Sequence, residues 1–361
     1  MQHEADSNSA ARDLTCCHAD VENTLVNRCS QPALEHDTEW HALARFMSPG
    51  EIVLDFGAGL TSLLAAQIVG AQGRVIVVAK NNPLAAAGKS GSANVEFRHG
   101  RLPDLQLDLD LLEAWLQVHP ARTSDDWLRT EAHATQLRHT APLIASDSID
   151  VVLAHRTLNL VPRTDRQRAF TEIFRVLKRG GRVVINEVVS DEIVPDTLPS
   201  DSHQYRGADR EDIVLEALEA AGFHGIEIIE RQAEPHNTVA GIEFRAVTIQ
   251  AFKGKAGPCF ERHQAVIYNG PWKAVIDDDG HTLYRGKRMA VCDKTFQIYS
   301  RAPYADALTP VPPAKEIPLA QARPFNCKVN AIRDPRETKG TAAPGMPLLQ
   351  ISGDCGPEGC C

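Results

Sequence analysis

The sequence predicts an α/β protein built on a doubly wound parallel sheet. The stretch Val53–Thr61, VLDFGAGLT, is an apolar run ending on Asp55 and a glycine-bearing turn that opens into an apolar helix, Leu60 to Val69. A second apolar run, Arg74–Ala79, is continuous enough for a parallel strand buried on both faces. Further strand patterns alternate with helical patterns, which is typical of such a sheet.

The turn after the first strand is the predicted ligand site. Gly57 and Gly59 lack a Cβ, so the backbone around Ala58 can turn sharply and approach a ligand. Thr61 stands where a third glycine might, so the spacing differs from the GxGxxG that suits a pyrophosphate. A D-x-G-x-G turn of this kind favours S-adenosylmethionine (SAM), which has no phosphate. A tight turn that binds nothing is the alternative.

The remaining patterns complete the sheet. The late strands fit a seven-stranded class I SAM-methyltransferase (Rossmann-like) sheet, which closes with an antiparallel pair. One amphipathic helix is predicted at Thr164–Lys178, with a capping box of Thr164 and Gln167 and a glycine stop. The other predicted elements are strands at Asn94–Arg98, Ile149–Ala154, Arg182–Val189, Gly225–Glu230 and Ile242–Phe252, and helices at His36–Phe46, Ser124–His139 and Asp209–Ala221.

Changes in pattern divide the chain. The segment 101–146 is too long for a simple connection and predicts a helical insertion, either a cover for the sheet or a lid over the cofactor. After residue 253 short β candidates predict a small β-rich C-terminal appendage, and the acidic Asp277–Asp279 run there is expected to be a solvated turn. Residues 303–361 predict an extended strap and tail. The predicted parts are an N-terminal arm (1–37), the SAM-methyltransferase domain (38–253), the β-rich domain (254–330) and a Cys-rich tail (331–361).

Composition excludes several functional classes. The 361 residues carry a formal net charge of −9, which argues against nucleic acid as a partner. No segment approaches the ~20 apolar residues of a membrane span, and no signal-peptide pattern precedes the first strand. We therefore expect a cytoplasmic protein without a membrane partner.

The 9 cysteines are an odd number and are unevenly placed. In a cytosolic chain, thiol chemistry or soft-ion binding is then a better interpretation than a disulfide framework. The predicted soft-ion ligands are those near the chain ends: Cys16, Cys17, Cys29, Cys355, Cys360 and Cys361. Structural zinc is an alternative, although no CxxC pair is present. Cys292, in MAVCD, is interpreted as a small buried hydrophobe.

Two polar residues follow the fourth strand. His155 and Arg156 lie where open α/β sheets bind ligands, and we place His155 with the cofactor. A histidine here could act as a base, or it could pack and hydrogen-bond.

From about Cys29 to beyond Cys292 the chain resembles the arsenite methyltransferases, SAM-dependent enzymes that methylate trivalent arsenic. The segments that carry the resemblance are VLDFGAGL, NVEFRHG, the run from DVVLAHRTLNLVP through FRVLKRGGRVVINEVVSDEIVP, and AFKGKAGPC through YRGKRMAVCDKT. The resemblance implies that thiolates hold As(III), that a thiol reductant is needed, and that the arsenic lone pair attacks the SAM methyl. It implies Cys29 as catalytic, and no permanent metal cofactor is expected.

This chain departs from the family pattern at three places. Arg156 stands where a cysteine is usual, and the segment SHQYRGADRED lacks another. Ala79 and Lys80 replace the acid that takes the ribose hydroxyls, so Asn81 or Asn82 is the substitute partner. Cysteines from the chain ends are the candidates to complete the thiol set.

Three functions therefore compete. The leading one is methylation of arsenite or thiol-bound arsenite. The others are a non-catalytic protein that binds a soft ion, and a SAM methyltransferase for another small molecule contacted by His155 or Arg156.

Overall fold

A large mixed sheet forms the first part of the structure, a computed structural model that describes residues 45–56, 60–80, 93–198, 205–342 and 349–350. Its strands lie in the order β3-β2-β1-β4-β5-β8-β6, and the short β7 pairs with β8. Strands β1 to β5 are parallel, whereas β8 runs antiparallel to β5. The strands are β1 (Ile52–Phe56), β2 (Arg74–Ala79), β3 (Val95–His99), β4 (Ile149–His155), β5 (Leu177–Ser190), β6 (His224–Arg231), β7 (Asn237–Val239) and β8 (Ile242–Phe252). The predicted class I SAM-methyltransferase sheet is confirmed, with β7 as a short additional strand.

Helices cover both faces of this sheet. Alternate residues of a strand point to opposite faces. Leu54 of β1 therefore packs in the core under α4 and α5, while Val53 packs in the core under α1. The helices of this part are α1 (Leu60–Val69), α2 (Leu109–Val118), α3 (Ser124–Thr140), α4 (Arg163–Val176) and α5 (Glu211–Ala220).

Two helices, α2 and α3, occupy the long segment between β3 and β4. Asp108 caps α2 by accepting from backbone N–H groups of the first turn. Thr123 and Asp126 form a capping box at the start of α3. The segment is helical as expected, while the domain boundaries assigned to it stay a prediction.

The expected limits of α4 were wrong at both ends. The helix begins at Arg163 after Pro162, which makes no side-chain cap, so Thr164 and Gln167 lie inside the helix. It ends at Val176, and Leu177 is already extended. The residues before Gly181 join β5 because Gly180 N–H donates to the Lys253 carbonyl (2.7 Å), which extends the ladder toward β8.

A second, five-stranded sheet follows, in the order β14-β10-β13-β16-β17. Its core includes Val266, Met289, Phe296 and Leu308. Two further two-stranded sheets, β11 with β12 and β9 with β15, lie in the same region. The elements of the region are β9 (Phe260–Glu261), β10 (Ala265–Tyr268), β11 (Ala274–Ile276), β12 (Thr282–Tyr284), β13 (Arg288–Ala290), β14 (Leu308–Val311), β15 (Arg323–Pro324), β16 (Ala331–Ile332), β17 (Leu349–Gln350), α6 (Asp293–Tyr299) and α7 (Pro335–Thr338).

One expectation about this region was wrong, and a second holds for only part of its residues. The segment after residue 303 is not a plain strap, because it supplies β14 to β17 and the buried Arg333. In the acidic Asp277–Asp279 turn, Asp278 and Asp279 are exposed as expected, whereas Asp277 is half-buried and hydrogen-bonds the His281 ring (2.8 Å) and the Tyr299 hydroxyl. Strands β14 to β16 and the Asp277–Tyr299 contact depend on partners more than twenty residues away, so local composition does not reveal them.

No helix among the described residues is both long and apolar enough to cross a membrane.

Candidate functional site

The carboxyl ends of β1 and β4 meet at the point where the strand order reverses. From β1 the chain builds outward to β2 and β3, and it then returns to add β4 and β5 on the other side. In open α/β sheets, ligands bind in the crevice outside such a reversal point. The Thr157 hydroxyl contacts the carbonyls of His155 (2.9 Å) and Phe56 (3.4 Å), so it joins the two strand ends. This edge is therefore the candidate ligand site.

Asp55 lies at this edge and is almost completely buried. Its carboxyl group accepts a hydrogen bond from the Ser62 hydroxyl of α1 at 2.5 Å. Burial raises the pKa of Asp55 to about 7, although the Ser62 bond acts in the opposite direction. Asp55 thus connects the end of β1 to the first turns of α1.

His155 ends β4 opposite Asn186 of β5. Arg156, in the position of the missing cysteine, has a left-handed backbone (φ 50°), and its N–H donates to the Asn186 carbonyl at 2.8 Å. Left-handed geometry is uncommon for a residue with a side chain. The structure thus brings Asp55 and His155 to one edge of the sheet, as the sequence predicted, and their roles toward a ligand stay predictions.

The end of β2 has no acid. Ala79 is its last residue and is half-buried, and Lys80 is exposed. The Ala79 carbonyl accepts from Gly100 N–H at 3.1 Å. Ala79 and Lys80 therefore occupy the end of β2 at this edge, where the sequence analysis expected an acid in the family pattern.

The loop after β4 and the loop after β5 flank the same edge and contact each other. The sequence did not indicate this contact. The Arg166 side chain is buried between them and contacts the carbonyls of Val161 (3.2 Å) and Gly207. A Cβ built on Gly207 would lie 2.0 Å from the Asn159 carbonyl oxygen, so glycine is needed at this close approach. The signal that could have indicated this is the GA dipeptide at Gly207-Ala208.

Glu187 is a second buried acid at this edge and was also missed. Its carboxylate accepts from Leu158 N–H at 2.6 Å and faces the backbone around that residue. Burial raises the pKa of Glu187 to about 8, against the opposing effect of these backbone bonds and of the Arg166 charge. The group is therefore largely protonated at neutral pH.

Several predicted site residues lie outside the described part of the chain. They are the cofactor residues Gly57, Ala58, Gly59 and Asn81, the catalytic Cys29, and the soft-ion ligands Cys16, Cys17, Cys355, Cys360 and Cys361. Their assignments stay predictions.

The structure brings together three cysteines that the sequence analysis left unassigned or treated as packing. The sulfur atoms of Cys259, Cys292 and Cys327 all lie within 4.8 Å of one another. Cys292 is fully buried, as expected of a small hydrophobe, but its sulfur faces two other thiols. The residues are more than thirty positions apart in sequence, so no spacing motif links them.

Comparison with known proteins places two domain types on the chain. Residues 107–185 match the model described as Methyltransferase domain, and residues 255–343 match one described as Domain of unknown function (DUF8838). The first match covers the segment from before α2 into β5, and the second covers most of the small sheet.

Curated relatives carry the name arsenite methyltransferase. The protein from Halobacterium salinarum is 31% identical over 193 residues, which are 50% of this chain and 39% of that protein. The protein from Aquipseudomonas alcaligenes is 27% identical over 280 residues, 70% of each chain, and the one from Mus musculus is 27% identical over 210 residues. The chain thus spans about two fifths of the first relative's length. These similarities confirm the family resemblance that the motifs indicated.

Among solved structures, the arsenic(III) S-adenosylmethionine methyltransferase of Chlamydomonas reinhardtii has a TM-score of 0.45 and 21% sequence identity. The match covers 77% of this chain and 89% of that one.

Proposed function

Because this chain is arsenite methyltransferase-like in sequence and has the matching sheet, we propose that it is a SAM-dependent methyltransferase that acts on trivalent arsenic. The observation that carries the proposal is the similarity to proteins of this name together with the reversal of strand order at β1 and β4. The substrate is arsenite or thiol-bound arsenite, and a thiol reductant keeps the arsenic trivalent. The proposal includes a cytoplasmic location.

The residues at the candidate edge fit SAM in part. Asp55 and Ser62 hydrogen-bond on either side of the segment 57–59, which we propose contacts SAM, and His155 borders the same edge. The end of β2 offers Ala79 and Lys80 in place of a ribose-binding acid, so the neutral Asn81 is the proposed partner of the ribose. When bound, SAM supplies an electrophilic methyl group on a positively charged sulfur.

The chain itself contributes mainly positioning. Cys29, with thiols from the chain ends, holds As(III) so that its lone pair faces the methyl group. The arsenic lone pair needs no general base, so none of the acids at the edge has to take a proton. Holding both reactants in one geometry replaces an unfavourable encounter, an effect worth up to about 7–11 kcal/mol of the barrier.

The buried Glu187 and Arg166 act on the framework of this site. Glu187 accepts from the loop after β4, and Arg166 connects that loop to Gly207. Because both loops border the carboxyl edge, we propose that they shape the space next to the transferred methyl group.

The test is incubation of the purified full chain with arsenite, SAM and a thiol, followed by arsenic speciation. We expect methylated arsenic that depends on SAM and falls at least about 100-fold in Cys29→Ser, because loss of a positioning contact costs that much. An inactive chain that binds SAM in calorimetry would contradict arsenic as the substrate. Absence of SAM binding would contradict both methyltransferase functions. The remaining function would be that of a non-catalytic protein that binds a soft ion.

A further inference from the structure

A cluster of three thiols lies in the small C-terminal sheet region. Cys259 immediately precedes β9, and Cys327 follows β15 after two residues. The ladder of β9 with β15, extended by Phe325 N–H to the Cys259 carbonyl (2.9 Å), brings these two cysteines together. Cys292 follows β13 and starts α6, and its sulfur completes a group in which all three lie within 4.8 Å.

Contacts around the cluster hold each cysteine in place. The Cys292 sulfur accepts from Thr295 N–H at 3.4 Å and contacts the Thr295 hydroxyl at 3.2 Å. Lys294 Nζ donates to the Gly257 carbonyl at 3.0 Å, which fastens the turn before Cys259 to the start of α6.

The third cysteine is held by its backbone. His281 interacts with the Cys327 carbonyl, and its ring also bonds Asp277 at 2.8 Å. Asp277 further accepts from Tyr299 of α6. The three thiols are thus arranged by the fold before any ligand binds, which lowers the cost of ordering them.

The donor set selects the kind of ligand. Sulfur is a soft donor, and within the described residues no imidazole or carboxylate belongs to the group. Thiolates lie about 2.3 Å from a zinc ion, so two sulfurs on one such ion are at most about 4.6 Å apart, and small side-chain movements bring these three into range. Structural zinc takes four ligands, whereas trivalent arsenic is satisfied by three sulfurs and keeps its lone pair.

We propose that Cys259, Cys292 and Cys327 bind one trivalent arsenic as a tris-thiolate. The choice of arsenic rests on the proposed function, whereas the thiol site itself rests on the geometry. Binding is a condensation without oxidation or reduction. Each S–H proton joins one hydroxide of As(OH)₃, so three As–O bonds break, three As–S bonds form and three waters leave.

The small sheet joins the large one at the edge opposite the candidate methyl-transfer site. Lys253, which leads out of β8, pairs with Gly180 and Gly181 at the amino end of β5, and its side chain bonds Asp147 just before β4 (2.8 Å). Tyr304 stacks on His224 at the same end of the sheet (6.4 Å between ring centroids). The tris-thiol site is therefore a second arsenic site and not the place of methyl transfer.

The cysteine count allows a clean test. A full-length variant in which the six cysteines near the chain ends (Cys16, Cys17, Cys29, Cys355, Cys360 and Cys361) are all replaced by Ser retains only these three thiols. We expect this variant to hold one equivalent of arsenic after incubation with arsenite and desalting, in the absence of SAM. X-ray absorption at the arsenic edge should show three sulfur neighbours.

In that background, Cys259→Ser, Cys292→Ser and Cys327→Ser should each weaken arsenite binding by at least about 10-fold, since each removes a ligand. Because Cys292 is buried, circular dichroism and thermal unfolding check the fold, and the half-buried Cys259 and Cys327 provide variants that depend less on packing. Undiminished binding in all three folded variants would overturn the site. A variant that retains zinc and cannot exchange it for arsenite would overturn the choice of ion.

Failure of this inference and failure of the proposed function give different results. A wild-type chain that methylates arsenite while the three-thiol variant binds no arsenic contradicts the tris-thiol site alone. A chain that binds arsenic through these thiols but methylates none contradicts the proposed function alone.

Discussion

The carboxyl group of Asp55 and the hydroxyl of Ser62 lie 2.5 Å apart, and both side chains are almost completely buried. The pair connects the end of the central strand to the first turns of α1, across the predicted SAM turn. Burial removes water from the carboxyl group and so raises the pKa of Asp55 to about 7.

This relationship predicts the pH dependence of stability. An acid whose folded-state pKa is raised holds its proton in the folded chain while the unfolded chain releases it, so stability is lost as pH rises between about 4 and 7. Replacing Asp55 by Asn removes that contribution, which is at most about 1.4 kcal/mol per pH unit. We expect urea unfolding from about pH 5 to 7 to show a smaller loss of stability in Asp55→Asn than in wild type.

Ser62→Ala is the matched control, because it removes the hydrogen bond but leaves the titrating carboxyl group. Its stability should fall with pH at least as steeply as that of wild type. Equal slopes in wild type and Asp55→Asn would show that Asp55 ionises in the folded chain as it does in the unfolded one.

Glu187 should tolerate replacement by a neutral side chain that still accepts a hydrogen bond from Leu158 N–H, but not removal of that acceptor. With its pKa raised to about 8, the side chain is mostly neutral at pH 7, and Gln has nearly the same shape. We expect Glu187→Gln to cost less than about 1.5 kcal/mol of unfolding free energy. Glu187→Ala should cost roughly 2–5 kcal/mol, because it leaves a cavity and strands the Leu158 N–H. Denaturant unfolding at neutral pH measures both, and equal losses would contradict the neutral state of Glu187.

Gly207→Ala should disturb the contact between the loops after β4 and β5. The new Cβ would lie 2.0 Å from the Asn159 carbonyl oxygen, a backbone atom that can move only with its loop. We expect a loss of roughly 1–3 kcal/mol in unfolding free energy and a reduced rate of arsenite methylation.

Gly286→Ala is a useful control for this prediction. Gly286 has φ +72° and no atom within 4 Å of its built Cβ, so only the backbone conformation penalises alanine there. This control should cost less than about 2 kcal/mol and leave methylation unchanged. If Gly207→Ala also leaves methylation unchanged, the loops do not shape the site.

Arg333 should be critical for the small sheet region. Its guanidinium is buried, contacts both carboxylate oxygens of Glu261 (2.8 and 2.9 Å), and also pairs with Glu337. Arg333→Met leaves two carboxylates without their cation, which costs about 3–5 kcal/mol for a buried pair. Calorimetric unfolding of the full chain should show the loss.

Arg336→Met serves as the surface comparison, since Arg336 pairs with Asp334 while 60% of its side chain stays exposed. An exposed pair of this kind contributes little to stability, because water screens it. A comparable loss in both variants would contradict the role assigned to Arg333.

The sequence predicted the large sheet well and the segment after residue 303 poorly. β2 was predicted with its observed bounds, because a continuous apolar run buried on both faces is a local signal. The end of α4 was misplaced, since Gly180 and Gly181 are recruited by Lys253 into the β5 ladder, a partner about seventy residues away. The same reason explains the strands after residue 303, which are only two to four residues long and exist through pairing.

The sequence by itself determined the fold class, the edge of the sheet that holds Asp55 and His155, and the family resemblance, because each depends on short contiguous motifs. Only the tertiary structure brought Cys259, Cys292 and Cys327 together and buried Glu187 against Leu158. Thiols that meet through strand pairing have no fixed spacing along the chain, and the pKa of an acid depends on the water that folding removes. Asp55 illustrates both contributions. The sequence motif around it predicts the turn, whereas its burial in the folded chain determines its protonation state.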